Sequence, residues 1–133
     1  MVHANPDIAC TGHFFGQDCV GKEMEHEPIS VICANNSEMT SVKTKELNIE
    51  ELPQEARKCH ICPDMKDKNL LSVPVLCDAG CMCVFCKHKI TIIKDNKIIM
   101  EGPRDKPTNL WTIPITQKNQ PTNEMNQSLA IVP

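Results

Sequence analysis

Two residues, Asp95-Asn96, separate the run Lys89-Ile90-Thr91-Ile92-Ile93-Lys94 from Lys97-Ile98-Ile99-Met100-Glu101. Apolar, β-branched runs folded back across a two-residue polar loop are the strongest short-range signal for a β-hairpin. Cys81 to Phe85 reads as a further strand just ahead of it. Upstream, Ile29 to Ala34 is an apolar strand ending at Asn35-Asn36-Ser37, where Asn tolerates positive φ, and Glu38 to Thr44 alternates as a returning strand. Leu52 to Arg57 has the look of a single helical turn. Ser72 is placed to cap a short helix over Val73 to Ala79, Pro74 fits its first turn, and Gly80 stands where a helix C-terminus wants positive φ. Short strands, tight turns and one short helix predict an all-β barrel or sandwich. From Thr116 to Ser128 the chain is Gln, Asn, Thr and Lys with little apolar surface, so residues 116–133 are expected to form a disordered polar tail.

At 133 residues the chain has the length of one domain. The formal net charge of -3, with Lys and Arg scattered, offers no footprint for a phosphate backbone. Three Phe, one Trp and no Tyr leave few platforms on which bases stack, so no nucleic-acid partner is expected. Met1 to Asp7 has neither a basic nor an apolar region of a secretory signal, and the apolar stretch Ile90 to Met100 is interrupted by Lys94, Asp95, Asn96 and Lys97. No membrane partner is expected, and the cytoplasm is the expected compartment. Nine cysteines, an odd number without an export signal, are expected to be reduced thiols.

Three segments carry a resemblance. Asp7-Ile8-Ala9-Cys10-Thr11-Gly12-His13-Phe14 resembles an Asp-Ser/Thr-Gly-Ala/Cys-Thr-x-His-Phe active-site stretch. Cys59 to Lys66, followed by Asn69-Leu70-Leu71-Ser72-Val73, is similar to a run ending in Pro-x-Leu-x-x-Asn-Leu-Leu-Ser-Val. Leu76 to Phe85 is similar to a Leu-x-Asp-x-Gly-Cys-x-Val-x-Phe segment, with smaller echoes at Gly102-Pro103-Arg104-Asp105 and Leu110 to Pro114. These motifs belong to the retropepsin-like aspartic protease of copia-type retrotransposon polyproteins. The resemblance covers roughly residues 7 to 115. It implies a small closed β-barrel over residues 5–115 that pairs with a second copy, and an ancestral role in polyprotein processing.

Aspartic proteolysis uses two carboxylates sharing a proton, one accepting a proton from the attacking water while the other protonates the scissile carbonyl. A retropepsin subunit carries one such Asp, so the second comes from a partner copy. By resemblance, Asp7 holds that position. Its neighbours depart from the pattern. Ile8 replaces the hydroxyl that braces the dyad across the dimer, and Ala9 replaces a Gly, a change costing roughly 1 kcal/mol if the backbone there has positive φ. No strand is expected to lead into Asp7, because Asn5-Pro6 precede it and the chain begins there; the segment reads as truncated at its N-terminus. A weak homodimer at most, and a peptidase with little or no activity on a peptide or polyprotein substrate, are the expectations. His13 near Phe14 reads as structural. Leu70 and Leu71, with the small Ser72, resemble the apolar pair supporting the active-site loop, and both leucines are expected in the core. A thiol-protease pair of Cys10 with His13 lacks a third orienting group and is discounted.

The competing reading is a small zinc-binding interaction module. Cys59-x-x-Cys62 and Cys83-x-x-Cys86 have the generic spacing of a four-cysteine zinc site, with His60 and His88 as further nitrogens. Neither pair is followed by the Gly that turns a zinc knuckle toward its metal, and Cys81, Cys83 and Phe85 alternate as in a strand. The resemblance implies no cofactor, with these cysteines filling the barrel as small hydrophobes.

Overall fold

The computed structural model describes residues 2–18, 21–32 and 36–115. The expected tail over 116–133 lies outside them, as do Cys33-Ala34 at the end of one expected strand. The described strands are β1 (Val2–Asp7), β2 (His13–Phe15), β3 (Lys22–Met24), β4 (Ser30–Ile32), β5 (Glu38–Thr40) and β6 (Lys43–Glu46), then β7 (Lys58–Ile61), β8 (Asn69–Ser72), β9 (Met82–Phe85), β10 (Lys89–Lys94), β11 (Lys97–Pro103) and β12 (Ile113–Ile115). One α-helix, α1 (Val73–Asp78), follows β8, and 3-10 turns occupy Gln54–Ala56 and Pro63–Met65. The described residues are therefore mostly β, with a single short α-helix among them. Among the described residues, no helix is long and apolar enough to cross a membrane.

Seven strands form one sheet in the order β12-β1-β8-β2-β7-β6-β3. It curls as a half-barrel. Among the described residues its edges, β12 and β3, each pair with one neighbour, so the closed barrel of the sequence reading is not shown as hydrogen-bonded closure. Three further strands, β11-β10-β9, make a second sheet, and β4 with β5 a separate hairpin.

The local signals act as expected. Asp95 and Asn96 both hold positive φ, 52° and 64°, the pair of left-handed residues that lets a two-residue loop match the twist of β10 and β11. The Ser72 hydroxyl accepts the Val75 N–H at 3.1 Å and caps α1, while Gly80 at φ 93° ends it. Ser41 divides the stretch read as one returning strand. Its hydroxyl accepts the Ile29 N–H and its own N–H bonds the Ile29 carbonyl, which closes the β4–β5 hairpin; the next residue, Val42, bonds the Ile61 carbonyl and starts β6 in the large sheet.

One contiguous apolar cluster joins the two larger sheets: it contains Phe15, Ile61 and Leu71 of the first, Ile90, Ile92 and Ile99 of the second, and Leu76 of α1. Val2 and Ala4 belong to it, so the sheet takes in residues ahead of the expected start at residue 5. Gly102 on β11 lies against the chain entering β12; a Cβ there would overlap the Thr112 carbonyl. Backbone cannot withdraw as a side chain does, so Gly102→Ala is expected to cost roughly 2–3 kcal/mol. Urea denaturation checks this, and an unshifted midpoint would show that β12 is not held against β11.

Candidate functional site

The Asp7 position is built by strands distant in sequence. β8 lies between β1 and β2, parallel to the first and antiparallel to the second. The parallel register sets Asn5 opposite Leu70, Pro6 opposite Leu71 and Asp7 opposite Ser72. The chain thus leaves β1 at Asp7, loops through Ile8 to Gly12, and returns as β2 on the far side of β8. The expectation that no strand leads into Asp7 is corrected: β1 does so, with its first half held by β12 and its second half by β8. The local sequence misled because both partners lie far along the chain, and Pro6 alone reads as a strand breaker.

Asn69 stitches the three strands together. Its amide donates to the His3 carbonyl on β1 (3.0 Å) and to the Gln17 side chain (2.7 Å), and its oxygen accepts the Gln17 N–H at 3.2 Å. Leu71 is fully buried, whereas Leu70 points to the other face and is half-buried, so only one of the two expected core leucines is in the core.

Within the loop, the Ala9 N–H donates to Asp7 Oδ1 at 2.8 Å. The Ser72 hydroxyl, already the cap of α1, donates to the Cys10 carbonyl and so ties the loop to β8. Next to it lies His13, fully buried. The Ser72 N–H donates to His13 Nδ1 at 2.9 Å, which leaves the proton on Nε2 to reach the Ala56 carbonyl at 2.8 Å. Burial pushes the His13 pKa down to about 4, with nearby His60 acting in the same sense and the Ala56 carbonyl opposing. His13 is a neutral strut joining β2, the start of α1 and the turn at Ala56. It has no free nitrogen for Cys10, whose own thiol is raised chiefly by burial; a thiolate pair is not formed.

The two departures from the motif differ in consequence. Ile8 is 73% exposed beside Asp7 and supplies no hydrogen bond from its side chain. Ala9 is not among the described non-glycine residues with positive φ, which are Asn36, Lys66, Asp95, Asn96 and Asn109. The conditional backbone penalty at Ala9 is therefore absent, because the loop there keeps a conformation open to any L-residue.

The four cysteines of the zinc reading fall in different sheets. Cys59 is on β7 and Cys62 directly follows it, both buried, while Cys83 is on β9 and Cys86 just beyond it. Among the described residues, no group of three or more His, Cys, Asp or Glu side chains is arranged to hold a metal ion. Burial raises the Cys59 thiol, with Cys62 beside it adding to the effect, as suits a small apolar filler.

An open groove lined by Met24, Glu25, Glu27, Thr44, Lys58 and His60 was not signalled by the sequence, because its walls come from β3, β6, β7 and a loop. No family model matches the chain, and neither curated proteins nor solved structures give a match.

Proposed function

We propose that this chain is a retropepsin-like aspartic peptidase domain of the copia retrotransposon type, with Asp7 in the catalytic position and little or no peptidase activity remaining. One observation carries the reading: Asp7 ends β1 in parallel register with Ser72 of a β8 strand inserted between β1 and β2, and its carboxylate accepts the Ala9 N–H. That is a carboxylate fixed at the mouth of a loop by backbone, as water activation requires. The resemblance in the same residues supplies the chemistry.

In this mechanism a second copy contributes its own Asp7, the two carboxylates share a proton, and water attacks the peptide carbonyl between them. No cofactor enters. The chain would act in the cytoplasm on a peptide or polyprotein segment. Ile8 removes the hydroxyl that would brace each Asp7 against the other copy, so the pair is not held in attacking geometry.

With β1 in place, the case for weak self-association rests on the lost brace alone. Sedimentation at micromolar concentration is expected to give monomer; a tight dimer would argue that Ile8 is tolerated and that the dyad forms. Activity is tested by incubation with a broad peptide library at mildly acid pH, with and without an aspartic-protease inhibitor. The expected result is no inhibitor-sensitive cleavage.

A further inference from the structure

Three strands of the large sheet carry a row of side chains on the face away from the core. Cys59 and Ile61 of β7 belong to the apolar cluster, so His60 between them points to the opposite face. Its register partners there are Thr44 on β6, itself opposite Met24 on β3, and Phe14 on β2, whose ring lies 5.4 Å from the imidazole. Met24, Thr44 and His60 line the open groove described above, which has a volume of about 420 Å³. The segment after β3 supplies Glu25 and Glu27 to the same groove. Between them, His26 Nδ1 and the Thr44 hydroxyl are hydrogen-bonded at 3.0 Å, which pins this segment over β6.

Two independent observations define what the groove lacks. His60 is 8% exposed, yet its Nδ1 has no hydrogen-bond partner among the described residues, whereas nearly every buried polar atom of a folded protein has one. Burial, then Lys58 and His26, hold its pKa below the ordinary value, so the ring is neutral at about pH 7 and one of its nitrogens offers a lone pair. A hydrogen-bond donor would satisfy it. The second observation is charge. Glu25, Glu27 and Lys58 are exposed in the groove's lining and none has an ion pair among the described residues, so two uncommitted carboxylates face one ammonium.

We infer that the groove binds a basic peptide segment, its backbone extended beside β3 and a lysine or arginine side chain inserted among Glu25, Glu27 and His60. The inserted cation pairs with the carboxylates and donates to the neutral imidazole. β3 is one edge of the sheet and pairs with β6 alone among the described strands, so its outer backbone groups are open to an added strand. Strand addition favours a peptide over a free polyamine, and the excess of carboxylates disfavours an acidic partner. Nothing in this binding uses Asp7, so the inference goes beyond the peptidase reading and stands without it.

The test is an NMR titration of the full chain with the capped peptide Thr-Val-Lys-Val-Thr and with versions carrying Gln or Glu in place of Lys. Saturable shifts of the Met24, Thr44 and His60 amides are expected with the lysine peptide alone. Replacing both glutamates, Glu25→Gln with Glu27→Gln, should weaken that binding about tenfold, and Lys58→Gln should tighten it roughly threefold, as loss of exposed attractive or repulsive charges implies. These three side chains are exposed, so the variants are expected to keep the parent's spectrum elsewhere. Asp7→Asn should bind as the parent does, which separates this result from the fate of the peptidase reading. Absence of a saturable shift, equal binding of the lysine and glutamine peptides, preference for the glutamate peptide, or unchanged binding by the doubly substituted glutamate variant would overturn the inference. So would full displacement of the peptide by equimolar spermidine, which would assign the groove to a free polyamine.

Discussion

His13→Ala lowers folding stability by about 4 kcal/mol, the sum of two orphaned backbone groups at roughly 1–2 kcal/mol each and the cavity left by the ring. The Ser72 N–H and the Ala56 carbonyl would lose the ring nitrogens they bond, in a site without solvent access, since His13 and Ser72 are both fully buried. Against a typical total of about 5–15 kcal/mol, such a loss takes a marginal domain to the edge of unfolding. Equilibrium urea denaturation of the two proteins measures it. A shift below about 1 kcal/mol would mean that His13 packs without bridging.

Acid should weaken the fold through the same residue. His13 titrates at about 4 when folded and near 6.5 when unfolded, so between those values the unfolded chain binds more protons. Stability from His13 is therefore complete above about pH 6.5 and is lost as pH falls through about 4, a difference of about 3 kcal/mol. His60, its pKa also lowered by burial and by Lys58, acts in the same direction. Denaturation at about pH 7.5 and about pH 4.5 is expected to show the parent chain markedly weaker in acid, and His13→Ala with a smaller dependence. Equal stability of the parent at both would contradict a buried neutral imidazole. The peptide-cleavage assay belongs at the upper, milder end of this acid range.

The elements that the sequence foretold are those whose causes are local. Two residues suffice to turn β10 into β11, because Asp95 and Asn96 both accept positive φ. Ser72, Pro74 and Gly80 mark both ends of α1 within a few positions. What escaped is set by partners far along the chain. β1 is a strand because Leu70 to Ser72 and Ile113 to Ile115 flank it, and no pattern within Val2 to Asp7 announces either. The break between β5 and β6 depends on Ser41 meeting Ile29, and the half-buried state of Leu70 depends on which face β8 turns inward. Asp7 was singled out by resemblance alone. The roles of Asn69, Ser72 and His13 in fixing its loop became legible only with the three strands in register.

Ile8 and Ala9 differ from the motif in ways that can be reversed, which gives the peptidase reading a positive test. Because Ala9 is not strained, its replacement by Gly carries little folding cost beyond the added freedom of the unfolded chain, and Ile8 is exposed enough to accept a hydroxyl. The double variant Ile8→Ser, Ala9→Gly, checked for fold by circular dichroism, is incubated with the peptide library beside the parent chain and the triple variant that adds Asp7→Asn. The account predicts no inhibitor-sensitive cleavage by the parent, cleavage by the double variant, and its loss on Asp7→Asn. Cleavage by the parent that depends on Asp7 would contradict the inactive state, and a folded, dimeric double variant that cleaves nothing would contradict the aspartic peptidase origin itself.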